Sequence, residues 1–268
     1  MDKFMKLSII ILNYKTKGLT KQCIKNIENS DLNVEYEIIV VDNGSKDGME
    51  EMMKQEFPTH KFIASKKNLG MGSGNNLGIS IADGEHILVI NSDIVVFNES
   101  IQKMIDFMDE HERAGVVAPQ VLNPDRTIVD SCCRWPKIDT FVYRRTFLGK
   151  TKRGKRELDL FLYKTEDLSV PKQIDWIFGC CLLFRRKALD QVGLFDKRFF
   201  LFLEETDLCR RMWQKQWQVW YTPQSKVVHY PHRRTMGTGR IKDMFSKYTW
   251  IHLHSWIKYF IKWRKISL

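Results

Sequence analysis

The chain has 268 residues, 43% hydrophobic and 28% charged, with a formal net charge of +11. That is the balance of a globular protein able to bury a sizeable core, not of a disordered chain. The excess positive charge calls for an anionic partner. Nine Lys or Arg against one acid crowd into residues 231–268 and supply +8 of it, whereas a general nucleic-acid binder would spread such charge over its core.

The first half alternates strand and helix. Ser8 to Asn13 reads as a strand and Thr16 to Ser30 as a helix, with Leu19, Cys23, Ile24 and Ile27 at helical spacing. Glu37 to Asp42 is a second strand. Both strands are apolar throughout, as strands covered on two faces are. A helix near Met49 to Gln55, a short strand at Lys61 to Ala64 and a helix from Gly74 to Ala82 follow. Then come a strand at His86 to Asn91 and a helix at Glu99 to His111. This βαβα order predicts an α/β fold around a mostly parallel central sheet flanked by helices.

Beyond the strand predicted at Val116 to Val121 the pattern changes. Asp125 to Ser169 lacks clear periodicity, and its basic run Lys150 to Arg156 reads as a mobile loop. Trp176 to Phe184 is apolar. Arg186 to Val192 and Glu204 to Lys215 read as helices, and Val219 to Tyr221 and Lys226 to His229 as short strands. A boundary near Pro231 divides a domain at 1–230 from a C-terminal helical segment at 231–268. Within it, His254, Lys258, Lys262 and Lys265 form one polar stripe beside a Trp-rich face from Ile241 to Leu268. That describes an amphipathic helix on an anionic membrane surface. The alternative is a helix docked on the core or on a second subunit.

The six cysteines lack metal-site spacing and read as free thiols, Cys180 and Cys181 in an apolar run. Met1 to Lys6 is too charged, and too soon followed by a strand, for an export signal. Free thiols without such a signal suggest a reducing cytoplasm.

Several residues could carry chemistry. Asp42 ends a strand, where open α/β sheets bind ligands, although Asp-Asn-Gly is also good turn chemistry. Asn68 to Gly78 holds glycines ahead of a helix, which suits either a phosphate or a flexible connection; neither the dinucleotide fingerprint nor the P-loop fits. Asp93 follows the strand at His86 to Asn91. It could cap a helix, or it could join substrate phosphates on a divalent cation. Glu204, Glu205 and Asp207 place three acids at a helix start, where the helix dipole favours them. Each raises its neighbours' pKa, as a general base near neutral pH requires. His229 lies in an apolar strand, with His232 as a rival.

In order, the segments SIIILNYK, EIIVVDNGSKDG, NLGMGSGNNLG, ILVINSDIVV, GCCLLFRRKALDQVGLFD and FFLFLEETDLCRR resemble the inverting family 2 glycosyltransferases of the GT-A fold. The branch of rhamnosyltransferases and galactofuranosyltransferases is the nearest in pattern. The resemblance implies a nucleotide-diphospho-sugar transferase. Asn13 and Asp42 would hold the base, while Asn68, Gly70 and Asn76 would line the nucleotide and diphosphate. Asp93 would bind Mg²⁺ or Mn²⁺ with His229; Asn91 replaces the first Asp of the usual DxD. Trp176 and Gly179 would wall the acceptor and donor. Glu205 would be the catalytic base, flanked by Glu204, with Asp207 orienting the site.

The expected activity is metal-dependent transfer of a sugar, first L-rhamnose from dTDP-rhamnose, to a lipid-linked or glycan acceptor. A UDP-hexose or UDP-galactofuranose donor is the alternative, and a catalytically degenerate nucleotide-binding scaffold is the alternative of another class. The expected setting is cytoplasmic, peripheral on the inner membrane face, without nucleic acid and with homo-oligomerisation open.

Overall fold

A computed structural model describes residues 5–230 and 246–264. The expected boundary at Pro231, His232, the start of the last segment at Ile241, and Lys265 lie outside the described residues.

Strands β1 (Leu7–Asn13), β2 (Tyr36–Asp42), β3 (Lys61–Ala64) and β4 (His86–Asn91) pair in parallel in the order β3-β2-β1-β4. Helices α1 (Lys17–Glu28), α2 (Met49–Glu56) and α3 (Met71–Ile79) connect them. The sheet continues through β10 (Cys181–Arg185), β6 (Ala114–Leu122), β11 (Gln218–His229) and β5 (Ile94–Val96), and the short β8 (Lys172–Gln173) pairs with β11 off this path. β10 runs antiparallel between β4 and β6, while β11 is parallel to β6. The expected α/β architecture is present, with a parallel first half and a mixed second half.

Side chains leave a strand on alternate faces, so the apolar strands feed two cores. Leu7, Ile9 and Ile11 pack with α1, α2 and α4 (Ser100–Glu110). Ile10, Ile39 and Val41 face the core that also holds α7 (Arg186–Val192) and α8 (Glu204–Gln214). Parallel register brings Asn13 level with Asp42 and Leu12 level with Asn91. The carboxyl ends of β1, β2 and β4 therefore open on one edge.

Three expectations change. The two short strands at 219–221 and 226–229 are one strand, β11, with a register shift between Thr222 and Lys226. The apolar run from Trp176 splits at Gly179 into β9 (Trp176–Ile177) and β10; β9 pairs with β7 (Cys132–Cys133) in a separate small sheet. The run read as a mobile loop is helical, because 140–161 forms α5 (Thr140–Arg145), a 3-10 turn and α6 (Lys152–Phe161). The Thr151 hydroxyl caps α6 by accepting from the Gly154 amide. Gly154 is needed there, since a Cβ would overlap the Leu148 carbonyl.

The last described helix, α9 (Lys247–Trp263), packs on the core. Trp256, Tyr259 and Trp263 are buried against Phe199 and Leu203, so much of the Trp-rich face expected to meet lipid meets protein. The basic stripe is likewise engaged. Lys258 donates to the Arg198 carbonyl, and Lys262 pairs with Asp196 and Asp207 at 2.7 and 2.6 Å. Trp250, Ile257 and Ile261 remain exposed. The Trp263 indole N–H donates to Asp207 Oδ1 at 3.0 Å in a buried position. Trp263→Phe keeps an aromatic ring, though a smaller one, and removes that donor. It is expected to cost about 1–3 kcal/mol, read from urea denaturation of the full chain.

Candidate active site

The strand-end edge carries a polar network. Asn13 Nδ2 donates to Asp42 Oδ1 at 2.9 Å and to Ser45 Oγ at 3.0 Å, and the Ser45 amide donates to the Asp42 carboxylate. Asn43, which sequence reasoning passed over within its turn, holds the glycine loop. Its amide nitrogen reaches Asn68 Oδ1 and the Gly70 carbonyl, and its oxygen accepts from the Leu69 amide. Asn68 Oδ1 also accepts from the Gly70 amide.

The loop's glycines have a packing reason. Gly70 has φ +87°, and a Cβ there would overlap the Phe200 backbone, whose carbonyl accepts from the Met71 amide. A Cβ at Gly74 would meet Leu12, and one at Gly78 would meet Ile10 and Val41. Asn76 spends its amide on the Phe195 backbone, donating to its carbonyl and accepting from its N–H. Gly70 and Asn76 thus make these contacts with the 195–200 backbone.

Asp93 lies between β4 and β5. β5 pairs antiparallel with the end of β11, and this sets His229 opposite Ile94. His229 Nε2 stands 3.3 Å from Asp93 Oδ1. That oxygen is buried and accepts no hydrogen bond. A carboxylate oxygen so placed, beside an imidazole, fits a divalent cation that takes its remaining ligands from diphosphate. Another acid–histidine group, Glu85, His86 and Asp109, lies at the opposite end of β4. There the Lys6 ammonium already pairs with both carboxylates at 2.9 Å, as a cation would.

The acidic turn opens α8. Phe202 and Leu203 before it both have left-handed φ, +69° and +68°; such conformations cost of order 1–3 kcal/mol each. Glu204 is buried, its Oε2 without a partner. Burial, and then the Glu205 charge, push its carboxyl well above the usual range. Glu205 is half-buried, but its Oε2 is sealed and unpartnered. Burial raises its pKa to about 7, against the opposing pull of Arg144 and a hydrogen bond from the Gly179 backbone. Gly179 abuts the Glu205 side chain, which a Cβ would touch at 3.4 Å. Asp93 and Glu205 both raise the buried Cys180 thiol, to about 12, burial being the main cause. The two carboxylates therefore share one neighbourhood.

Two expected site residues point elsewhere. Asp207 is fully buried and bonded to Arg211, Lys262 and Trp263. It joins α8 to α9 and is not placed to touch a substrate. Trp176 is buried and donates to the Arg134 carbonyl. Arg144 was missed. It lies over the Phe161 and Phe178 rings at 5.6 and 5.7 Å, within electrostatic reach of Glu205. No periodicity in 125–169 marks it in the sequence.

A family model described as "Glycosyl transferase family 2" matches residues 8–193. An N-acetylglucosaminyl-diphospho-decaprenol L-rhamnosyltransferase of Mycobacterium tuberculosis is 29% identical over 215 residues, 76% of this chain and 68% of that protein. Rhamnosyltransferase WbbL of Escherichia coli K12 is 25% identical over 270 residues, covering 97% of this chain and 94% of the relative. Among solved structures, GalNAc-T7 with UDP, GalNAc and Mn2+ aligns with a TM-score of 0.63 at 16% identity, over 85% of this chain and 44% of that one.

Proposed function

From the premise that this chain belongs to glycosyl transferase family 2 and is a glycosyltransferase, we propose that it transfers L-rhamnose from dTDP-rhamnose to a lipid-linked or glycan acceptor, with inversion. The observation that carries the chemistry is the half-buried Glu205 carboxyl, raised to about 7 in the neighbourhood of Asp93. A base titrating there is ionised enough to accept a proton at neutral pH. The rhamnosyltransferase names of two relatives support the sugar, and a lipid diphosphate in one of those names supports the acceptor class.

In the proposed reaction Glu205 takes the proton of an acceptor hydroxyl. The hydroxyl oxygen bonds to the anomeric carbon while the sugar–diphosphate bond breaks, and its electron pair leaves with the nucleoside diphosphate. Asp93 and His229 would hold Mg²⁺ or Mn²⁺, which would supply charge neutralisation for the leaving group. Asn13 and Asp42, fixed by their mutual hydrogen bond, present the base site at the sheet edge. Arg144 offsets negative charge on the acceptor side. Residues 1–230 form the catalytic unit, and 231–268 include the brace behind its acidic turn. The enzyme works at the inner face of the membrane, where lipid-linked acceptors lie.

The UDP held by GalNAc-T7 in its solved structure favours a uridine donor as the second reading. Calorimetry with dTDP-rhamnose, UDP-glucose, UDP-galactose, UDP-galactofuranose and UDP-N-acetylglucosamine, with and without Mn²⁺, separates the two. Metal-dependent binding of dTDP-rhamnose alone is expected. Selective binding of a UDP-sugar would replace rhamnose, and failure of a folded protein to bind any donor would overturn the transferase reading.

A further inference from the structure

The helical insert between β7 and β9 brings Arg144 within electrostatic reach of Glu205. It also exposes apolar side chains. Ile138 is 76% exposed and Phe147 69%, with Val142 and Leu148 also exposed. Cations interleave with them. Residues 137–156 hold eight Lys or Arg and one acid, Asp139. Lys150, Lys152, Arg153, Lys155 and Arg156 are exposed and form no ion pair with any described residue.

The position of these cations is informative. Four of them lie in the first half of α6, where the helix dipole is positive and disfavours them. A local conflict of this kind is expected where function demands it. An anionic surface laid against the insert would reverse the sign of that interaction. Exposed Phe and Leu flanked by Lys and Arg fit the boundary between headgroups and acyl chains.

We propose that the α5–α6 insert, through Ile138, Phe147, Leu148 and the Lys150–Arg156 cations, is the surface that docks this protein on an anionic lipid bilayer. This rests on the transferase reading with a lipid-linked acceptor and gives that acceptor a route. The insert sits on the headgroups and delivers the acceptor past Arg144 to Glu205. The docking surface is thus the insert, in place of the C-terminal stripe whose Lys258 and Lys262 are bound to the core.

The test is sedimentation of the full chain with vesicles of phosphatidylcholine alone or mixed with phosphatidylglycerol, with donor binding measured in parallel on each variant. The chain is expected to bind only the mixed vesicles. Replacing Lys152, Arg153, Lys155 and Arg156 together by Gln is expected to weaken that binding on the order of 1,000-fold. Phe147→Ser with Leu148→Ser is expected to weaken it about 10-fold or more. Donor binding should be unchanged in both. Equal binding to neutral vesicles, full vesicle binding by both insert variants, or loss only with Trp250→Ser and Ile257→Ser on α9 would overturn the proposal. So would displacement of the chain from mixed vesicles by RNA at matched phosphate concentration. Vesicle binding by a wild-type chain that binds no donor would refute the transferase reading and leave the docking surface standing.

Discussion

Glu205→Gln is expected to lower kcat by about 10³-fold, within the 10²–10⁴ that a positioned general base supplies, while the donor's Kd stays within about twofold. The substitution keeps the shape of a side chain seated against Gly179 and removes the oxygen that accepts the proton. Wild-type kcat/KM should rise with pH through about 7, the value to which burial lifts this carboxyl, because only the ionised form is a base. The variant's profile should be flat there. Stability moves the other way. Folded Glu205 holds a proton that the unfolded chain, near its ordinary 4.5, has already released. Its contribution to stability therefore falls as pH rises from about 4.5 to about 7. Gln carries no such cost, so the variant should gain on the wild type in thermal melts above neutrality. A variant that loses donor binding along with activity would reassign Glu205 to the donor site.

Asp93→Asn should lower kcat/KM by about 100-fold or more and abolish the Mn²⁺ dependence of donor binding. Asp93 Oδ1 is buried, with His229 Nε2 3.3 Å away and no hydrogen bond made to it. Such an oxygen is costly unless a cation completes it, and neutralising the leaving diphosphate is worth several kcal/mol. The amide keeps the volume and loses the charge. His229→Ala should weaken the metal dependence less, since the carboxylate remains. Isothermal titration of donor at several Mn²⁺ concentrations reads both effects. Unchanged metal dependence in Asp93→Asn would move the cation to other ligands.

The elements nearest in sequence were the most legible. The strands at 8–13, 37–42 and 86–91 announce themselves as apolar runs, and the parallel sheet follows from their alternation with helices. What local pattern cannot show is where distant strands insert. β10 enters antiparallel between β4 and β6, and through it the Cys180 carbonyl accepts from the Asn91 amide. That pairing draws Gly179 and Cys180 into the neighbourhood of Asp93. The glycines of 70–78 were visible, but their cause was not. They are small because Leu12, Ile10, Val41 and the Phe200 backbone come close, contacts made across long stretches of chain. Asp207 shows the same limit. Its place beside Glu205 suggests a site residue, yet helix geometry turns it toward α9. The 125–169 segment hid its helices because Lys and Arg fill the first turns of α6, against the usual dipole preference.

The strained turn before α8 has two braces. The Met71 amide holds the Phe200 carbonyl from one side, while from α9 Ser255 holds the Leu201 carbonyl, Lys262 and Trp263 hold Asp207, and the His252 ring lies 4.8 Å from the Phe202 ring. A ribosome makes α9 after every other described element. A nascent chain can therefore close its sheet while the acidic turn still lacks one brace. The setting of the acidic turn comes late in synthesis, with the arrival of the last described helix.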